Sequence, residues 1–448
     1  MQKVQEPSVR KTLTVATSTS RIPWQPLVGL VALIVVMSMV VVSGQELKHV
    51  PPAAPTFVVL HSFAGPPTDG AFPYAGLIWG AAGNLYGTTV NGGTCGFSGH
   101  GAVFKLSPSG TETLLHSFTG GAAGDNPYAG LIQDAAGNLY GTTYGGGSSA
   151  CDQGCGTVFR VSPSGAKVVL HGFTGTDGNH PFAGLIQDAA GNLYGTTAVG
   201  GAHGWGVVFK LTPSDSSYES KVRHSFTGGA DGGFPAAGLI QDAAGNLYGT
   251  TVEGGADGAC SFFNRTCGVV FKVSPSGTET VLYRFTGADG GVPFAGLIQD
   301  KAGNLYGTTF AGGANGSCTP AYGLGCGVVF KLSPSGAETV LYRFTGAADG
   351  ANPYAGLVRD AAGNLYGTTV YDGASGKGVV FELIRCSSAP SGYDFKVLHA
   401  FTGEADGGYP YAGLIQDAAG NLYGTTLAGG TDGGICPMGC GVVFKLAP

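Results

Sequence analysis

Short runs of apolar residues, separated by turns rich in glycine, serine and aspartate, recur along the chain from residue 56 onward. One unit, residues 296–344, contains four such runs: GLIQD, NLYGTT, GVVFKL and ETVLYRF. The runs are short and their apolar residues have no helical spacing, which is typical of β-strands. DKAGN between the first two runs and SPSG between the last two are typical of tight turns. We therefore expect four antiparallel strands, called a, b, c and d in chain order.

The unit occurs seven times. The glycine that opens each GNLYGTT phrase falls at Gly83, Gly137, Gly191, Gly245, Gly303, Gly363 and Gly420, so that successive copies lie 54 to 60 residues apart. A period of this length corresponds to one supersecondary unit per repeat. Strands c and d carry apolar residues on both faces, so each sheet is expected to be covered on both sides. Radial packing of such sheets predicts an all-β, seven-bladed β-propeller of four-stranded antiparallel blades. An open repeat array and a ring of six or eight blades are the alternatives.

The two ends of the repeat region are offset from the repeat boundaries. TFVVLHSF, residues 56–63, is a strand d with no strand a, b or c before it. GVVFKLAP, residues 441–448, is a strand c with no strand d after it. The N-terminal strand can therefore complete the last blade, which closes the ring and leaves no unpaired edge. The propeller is expected to span residues 56–448.

Three phrases of the repeat resemble those of a known family. GLIQDAAGNLYGTT, GVVFKLSPSG and HSFTG are similar to the repeats of the GloVer tandem-repeat proteins, a bacterial family of surface or secreted proteins with varied anchoring signals. The resemblance covers roughly residues 56–448, and it implies an extracytoplasmic location and no established activity. A looser similarity to NHL-type and streptogramin-lyase-type propellers rests on the D-x-x-G-N turn between strands a and b, and it carries no catalytic residue across.

The N-terminal segment predicts export. A basic stretch precedes the apolar run PLVGLVALIVVMSMVVVSG, residues 26–44. This run is long for the core of a signal peptide and slightly short for a membrane span, so residues 1–44 are either a signal peptide or a signal-anchor. Residues 45–55 are interpreted as a proline-rich linker. Both alternatives place the repeats outside the cytoplasm: secreted, periplasmic or at the cell surface.

Composition limits the partners. The chain has 82 glycines among 448 residues, only 11% charged residues and a formal net charge of −6. No basic patch is visible in the sequence, so nucleic acid is not an expected partner. The membrane is expected to be contacted only through the N-terminal segment, and the protein is expected to be a monomer. An extracellular protein or polysaccharide is the expected partner.

Eight of the ten cysteines form four local pairs in the loops between strands b and c. The pairs are Cys151/Cys155, Cys260/Cys267, Cys318/Cys326 and Cys436/Cys440. The shortest of these loops have Trp205 and Lys377 where the second cysteine would stand. Pairs confined to long loops are typical of disulfides in an oxidising compartment; metal binding is the alternative. Cys95 and Cys386 are expected on opposite faces and are not expected to pair.

One aspartate per blade lies in the loop between strands d and a. These residues are Asp69, Asp125, Asp177, Asp231, Asp289, Asp349 and Asp406. They are interpreted as caps of local turns. The alternative is an acidic rim that attracts Ca²⁺ or a cationic ligand. No other cofactor is suggested by the sequence.

Strand d carries a histidine or a tyrosine at one position in every repeat: His61, His116, His171, His224, Tyr283, Tyr342 and His399. A position that accepts either ring is interpreted as a packing site. The loops between strands b and c and between d and a share one face of a propeller, called here the loop face. Variable loops on a rigid scaffold are where binding sites usually lie.

An enzyme would need residues that depart from the sevenfold pattern. His180, His203 and Glu253 are weak candidates for a general acid/base group, and no nucleophile elbow, phosphate loop or metal-ligand motif is present. The near-identity of the repeats favours a non-catalytic binding or adhesion module. The alternatives are a propeller lyase or hydrolase acting on an extracellular substrate and a structural component of the cell surface.

Overall fold

The structure, a computed structural model, describes residues 54–94, 99–215, 217–255, 267–313, 318, 325–431 and 436–448. Its sheets confirm the predicted seven-bladed β-propeller of four-stranded antiparallel blades. The segment predicted as a signal peptide or signal-anchor lies outside the described residues, as does most of the predicted linker. In the part of the chain that the structure describes, no helix has the length and apolar character needed to cross a membrane.

Each blade runs from strand a near the axis to strand d at the rim. Strands a are Ile78–Trp79, Ile132–Gln133, Ile186–Gln187, Ile240–Gln241, Ile298–Gln299, Val358–Arg359 and Ile415–Gln416. Strands b are Leu85–Thr89, Leu139–Thr143, Leu193–Thr197, Leu247–Thr251, Leu305–Thr309, Leu365–Thr369 and Leu422–Thr426. Strands c are Ala102–Leu106, Thr157–Val161, Val207–Ser214, Val269–Val273, Val328–Leu332, Val379–Arg385 and Val442–Ala447. Strands d are Glu112–Ser117, Lys167–Gly172, Ser217–Ser225, Glu279–Arg284, Glu338–Arg343, Tyr393–Ala400 and, for the seventh blade, Thr56–Ser62. Shorter elements in the connections are the strand pair Gly70–Ala71 and Asn91–Gly92 and the 3₁₀ helices Ala81–Gly83 and Gly121–Ala123.

The predicted ring closure is confirmed. Thr56–Ser62 pairs antiparallel with Val442–Ala447, with Thr56 opposite Ala447 and Ser62 opposite Val442. The seventh sheet is therefore built from both ends of the described chain.

The repeated phrase DAAGNLYGTT forms a hairpin that its own side chains hold together. In blade 2, Asp134 Oδ1 accepts hydrogen bonds from the amides of Ala136 and Asn138, at 2.9 and 2.8 Å. Its Oδ2 accepts from the Asn138 side chain and from the Tyr140 hydroxyl, at 2.8 and 2.9 Å. Partial burial opposes ionisation, but these hydrogen bonds prevail and lower the pKa of Asp134. The aspartate thus joins the turn to strand b.

The end of the same phrase, YGTT, joins adjacent blades. A Cβ on Gly141 would lie 2.6 Å from Cζ of Phe159, so only glycine fits beneath this buried ring. Thr142 Oγ1 donates to the Ala183 carbonyl oxygen of the next blade at 3.1 Å. Equivalent bonds occur at every blade boundary, and the last one runs from Thr425 to Ala75 at 3.1 Å. The phrase recurs because each boundary requires the same contacts.

A second set of contacts joins the blades farther from the axis. The phenylalanine that follows each strand d meets the strand-c phenylalanine of the next blade edge to face. Phe118 and Phe159 have ring centroids 5.1 Å apart, and Phe63 and Phe104, across the closure, are 5.2 Å apart. These rings are fully buried. Such pairs contribute beyond their burial, by about 0.5–1.5 kcal/mol each.

Three of the predicted disulfides are confirmed: Cys151–Cys155, Cys318–Cys326 and Cys436–Cys440. For these pairs the metal-binding alternative is therefore wrong. Disulfides form and persist in oxidising compartments, so these three indicate an environment outside the cytoplasm.

The remaining cysteines are only partly described. Cys267 is fully buried and disulfide-bonded, as predicted. Its predicted partner, Cys260, lies outside the described residues, so the pairing of Cys260 with Cys267 stays a prediction. Cys95 also lies outside the described residues. Cys386 is a free thiol whose Sγ lies 3.0 Å from the Ser388 hydroxyl.

Candidate functional site

Aromatic rings converge on the propeller axis at the loop face. Each comes from the residue that follows the proline before strand a. We call the set the axial aromatic cluster; its members are Tyr74, Tyr128, Phe182, Phe294, Tyr354 and Tyr411. All six are half-buried, which leaves part of each ring accessible. The fourth blade has Ala236 at this position, and it packs with Val252 and Phe310.

Tyr74 lies at the centre of the cluster. Its ring centroid is 5.2 Å from that of Tyr128 and 4.7 Å from that of Tyr411, the rings of the two adjacent blades. It is also 5.8 Å from Phe182 and 5.7 Å from Tyr354, whose blades are not its neighbours. A ring that contacts four other blades must cross the axis. Tyr74 therefore closes the centre of the propeller.

The other members form stacked pairs on either side. Tyr128 stacks on Phe182 at 5.0 Å, and Phe294 stacks on Tyr354 at 4.5 Å. Offset stacking of this kind presents ring faces as well as ring edges. The surface around the axis therefore combines apolar faces with phenolic hydroxyls.

The phenols of Tyr74 and Tyr128 stay neutral at physiological pH. Burial raises the pKa of Tyr74 far above its usual value, and the nearby Tyr354 adds to the effect. Burial likewise raises the pKa of Tyr128. The hydroxyls of Tyr371 and Tyr411 are 2.9 Å apart and are hydrogen bonded. A neutral phenol both donates and accepts hydrogen bonds, so the cluster suits neutral polar ligands.

The loop that carries each ring is held in an unusual backbone conformation. The residue before the proline has a positive φ, between 52° and 59°, in all seven blades: Phe72, Asn126, His180, Phe234, Val292, Asn352 and Tyr409. Non-glycine residues adopt this region at a cost and keep it only where their surroundings impose it. Here the amide of each residue donates to a carbonyl just before strand c of the preceding blade. Cys155 O accepts from His180 at 3.0 Å, and Trp205 O accepts from Phe234 at 2.9 Å.

His180, His203 and Glu253 have different surroundings. His180 stacks on Tyr144 at 4.1 Å, beside the axial cluster, and its Nε2 lies 3.3 Å from the Asp152 carbonyl oxygen. Burial lowers the pKa of His180, which favours the neutral imidazole. His203 is exposed, and the backbone of the buried Glu253 pairs with Gly233. The acid/base hypothesis for these residues stays a prediction.

The loop-face aspartates are hydrogen bonded to strand d. Asp177 accepts from His171 Nε2, from the Thr174 amide and from the Thr174 hydroxyl, each at 2.8 Å. Partial burial opposes ionisation, but the bonds from His171 and Thr174 lower the pKa of Asp177 to about 2. The same hydrogen bond joins Asp69 to His61, Asp289 to Tyr283, Asp349 to Tyr342 and Asp406 to His399. Asp231 lies 3.5 Å from His224 without a hydrogen bond. Asp125 instead pairs with His100 at 3.0 Å.

The histidine or tyrosine of strand d therefore has two roles. It packs edge to face on the phenylalanine two residues later, as His171 does on Phe173 at 4.8 Å, and in every blade except that of His116 it pairs with the loop aspartate. A β-bulge in strand d sets the position of His171; the register shifts opposite Val158 and Phe159 of strand c.

Within the described ranges, no group of three or more His, Cys, Asp or Glu residues could hold a metal ion. The acidic rim that binds Ca²⁺ stays a hypothesis.

The sequence comparisons point to one family. The model of the Gloeobacter/Verrucomicrobia repeat matches residues 47–152, 148–319 and 260–448. No curated protein matches the chain.

Solved structures match at low identity. A putative 6-phosphogluconolactonase from Bacteroides uniformis is 14% identical, with a TM-score of 0.46 over 75% of this chain and 86% of that one. A gluconolactonase from Xanthomonas campestris is 16% identical, with a TM-score of 0.40 over 70% of this chain and 86% of that one. A putative oxidoreductase (glucose dehydrogenase) from Thermus thermophilus is 16% identical, with a TM-score of 0.42 over 72% and 96%. Likenesses this distant say nothing about activity.

Proposed function

Because the chain belongs to the Gloeobacter/Verrucomicrobia repeat family, we propose that it is a non-catalytic binding or adhesion module, secreted or held at the cell surface. The disulfides support a location in an oxidising environment. The near-identity of the repeats supports a binding rather than a catalytic role, since a catalytic site requires residues that differ between blades.

The observation that carries this proposal is the axial aromatic cluster. Six of seven blades contribute a half-buried ring to one surface, at the loop-face end of the axis. Aromatic faces with hydroxyl groups at their edges suit the faces and hydroxyls of sugars, because they combine apolar contact with hydrogen bonding. A neutral polysaccharide is therefore the ligand that we favour. The alternative ligand is an extracellular protein, and the test below distinguishes the two.

The two other roles have less support. A lyase or hydrolase would need an acid and a base in one site, but the three candidate residues, His180, His203 and Glu253, have different surroundings. A purely structural role would not need accessible rings at the axis, where small apolar residues such as Ala236 fill the space equally well.

The test is a binding assay on the full chain with neutral and charged polysaccharides, and with a panel of extracellular proteins. A ligand at about 100 times its Kd stabilises the folded state by about 2.7 kcal/mol, which a thermal-shift assay detects. Tyr128→Ala removes an accessible stacking ring and is expected to weaken binding at least about tenfold, or about 1.4 kcal/mol. Tyr128→Phe keeps the ring and separates its contribution from that of the hydroxyl.

The matched control is Trp79→Ala. Trp79 is a partly exposed aromatic residue, with 37% of its surface accessible, in strand a at the a–b turn, and it packs against Tyr423. Its loss is expected to leave ligand binding unchanged. Equal losses in the Tyr128 and Trp79 variants would contradict a site at the axis. If a protein binds and no polysaccharide does, the proposal of a binding module stands and its ligand is a protein.

A further inference from the structure

A cleft of about 840 Å³ opens between blades 5 and 6, at the ends of the blades that carry the a–b and c–d turns. We call this end the turn face; it is opposite the loop face. Four cationic side chains line the cleft: Lys301, Lys331, Arg359 and Arg385. The whole chain contains only 22 lysines and arginines and has a formal net charge of −6. Positive charge is therefore concentrated here against the overall balance.

Three of the four cations depart from the repeat. Lys301 replaces the first alanine of the DAAGN turn, and Arg359 replaces the glutamine that ends strand a in five other blades. Arg385 ends strand c of blade 6, and the longer connection that follows brings Ser391 and the start of strand d, Tyr393, to the cleft. The scaffold does not require these substitutions, because neighbouring blades fold the same way without them.

Two of the cations, Lys331 and Arg359, lie beside the ring of Tyr306. Arg359 Cζ and Lys331 Nζ are each 6.0 Å from the centre of the Tyr306 ring. A Cβ on Gly363 would lie 2.9 Å from Arg359 Nη2 and 3.5 Å from Arg385 Nη1. The two guanidinium groups are thus neighbours. Like charges at such distances repel each other, which raises the benefit of an anion between them.

The positive charge of the cleft is offset only in part, because Asp300 is the one acidic residue in its lining. None of the four cations forms an ion pair with a described residue. Asp300 lines the cleft, but its oxygens already accept from the Ala302 and Asn304 amides, from the Asn304 side chain and from the Tyr306 hydroxyl. Arg359 Nε is buried and has no hydrogen-bond partner. A buried donor without a partner is costly, so the fold carries Arg359 at the expense of some stability.

The corresponding groove between blades 4 and 5 provides an internal comparison. It has a volume of about 370 Å³, and its lining includes one cation, Lys272. In this groove, Gln299 of blade 5 occupies the position that Arg359 occupies in blade 6. The a–b turn of blade 4 has Ala243 where that of blade 5 has Lys301. The two grooves are made by the same strands and turns. They differ in the charges and in the space that the longer connection of blade 6 creates.

We propose that the cleft between blades 5 and 6 binds an oligosaccharide that carries carboxylate groups. Adjacent guanidinium groups suit planar carboxylates, which they can bind through paired hydrogen bonds. The volume exceeds what one inorganic oxyanion fills, and Asn304, Thr339 and Ser391 add neutral hydrogen-bonding groups suited to sugar hydroxyls. This site is separate from the axial cluster and does not depend on it.

The experiment is titration calorimetry of the full chain with a galacturonic acid trimer, a galactose trimer and inorganic phosphate. The acidic trimer is expected to bind and the neutral trimer is not. Arg359→Gln restores the residue found in other blades and is expected to weaken binding about tenfold; the double variant with Arg385→Gln is expected to abolish it. Binding is expected to weaken as salt rises from about 0.05 to 0.5 M, because the site is open to solvent. The unfolding temperature is not expected to fall in either variant, because each removes positive charge that repels its neighbours.

Lys272→Gln in the groove between blades 4 and 5 is the matched control and is expected to bind normally. The proposal is overturned if the acidic trimer does not bind, or if the double variant binds as well as the parent. It is also overturned if Lys272→Gln loses as much affinity as Arg359→Gln, since binding would then reflect overall charge. Phosphate binding as tightly as the trimer would show an oxyanion site that does not recognise sugar. None of these results bears on the axial cluster, which Tyr128→Ala tests.

Discussion

The inner half of each blade, strands a and b, is nearly identical in all seven copies, whereas the outer half, strands c and d, keeps its buried phenylalanine contacts but varies at other positions. In the inner half, the first threonine of every YGTT phrase donates to the alanine carbonyl of the next blade, from Thr88 to Thr425. In the outer half, one position of strand d differs widely between blades. It lies opposite a leucine or valine of strand c, the residue two places after the strand-c phenylalanine. It is Glu112, Lys167, Ser220, Glu279, Glu338, Phe395 or Phe57.

The difference follows from distance to the axis. Near the axis the blades converge, and a Cβ on Gly184 would lie 3.2 Å from the Gly130 carbonyl oxygen of the adjacent blade. Only one combination of small side chains fits such a space. Farther out the blades diverge, and the same position accepts a carboxylate, an ammonium or an aromatic ring. Uniformity therefore marks the scaffold, and departures from the repeat mark the places where a function can be added.

The largest effect is expected from Gly141→Ala in the inner half. The new Cβ would lie 2.6 Å from Phe159 Cζ and 2.9 Å from Leu131 Cδ2, both in the packed interior. Overpacking of this kind is expected to lower the free energy of unfolding by roughly 2–3 kcal/mol. Gly172→Ala, in strand d, is the control, since no atom lies within 4 Å of its Cβ position. Denaturant unfolding that gives equal losses for the two variants would contradict the comparison.

A smaller effect is expected from Thr142→Val, which removes one bond between blades. The buried Ala183 carbonyl loses its donor at 3.1 Å, and the cost is expected to be about 1–2 kcal/mol. The outer-half control is Thr174→Val, whose hydroxyl bonds to Asp177 at the exposed surface. Its cost is expected to stay below about 0.5 kcal/mol. A larger loss at Thr174 than at Thr142 in thermal unfolding would reverse the ranking of the two halves.

Asp177→Asn tests the outer half through pH. The pKa of Asp177 in the folded protein is about 2, below the value of about 3.9 for an unfolded aspartate. Its ionised form therefore stabilises the fold above about pH 4, and this contribution is lost as pH falls from about 4 to 2. After allowance for solvent screening, the variant is expected to be about 1 kcal/mol less stable at pH 7 and equal to the parent near pH 2. Asp394→Asn, at an exposed position, is the control. A stability gap that does not close on acidification would disprove this origin.

The smallest effect, and the opposite sign, is expected from Glu279→Gln. Burial raises the pKa of Glu279 to about 7, and nearby Asp231 raises it further than Arg284 lowers it. One carboxylate oxygen is buried without a hydrogen-bond partner. The folded state therefore holds the proton more tightly than the unfolded state, and stability falls as pH rises from about 4.5 to 7. The variant is expected to be more stable than the parent at pH 8, by less than about 1 kcal/mol after screening, and similar at pH 4.5. A variant less stable than the parent at pH 8 would be inconsistent with this.

The fold could be predicted because all seven blades use the same scaffold residues, so the sequence contains seven copies of one pattern. The GNLYGTT phrase showed the number of blades, and the unpaired strands at residues 56–63 and 441–448 showed how the ring closes. The three confirmed disulfides could be predicted from their position in long loops. Each of these signals depends on residues close together in one repeat, or on comparison between repeats.

The sites were harder to predict because they join residues from different repeats. The axial cluster had a visible signal, an aromatic residue after the proline before strand a in six repeats, but its meaning depends on the seven strands a meeting at the axis. The pairing of Asp177 with His171 depends on a β-bulge that leaves no mark in the sequence. Lys301, Arg359 and Arg385 come from two blades, and the packing of those blades brings them to one cleft.

Ring closure also sets an order of events in time. Thr56–Ser62 is the first of the described strands to leave the ribosome, yet its partner, Val442–Ala447, is the last of them to do so. During synthesis the N-terminal strand therefore stays without its partner until the other six blades have been made. The long separation of the two strands makes their pairing a slow, late step. The propeller thus reaches its full stability only as a finished ring, and the same pairing then keeps the earliest and the latest strand in one blade.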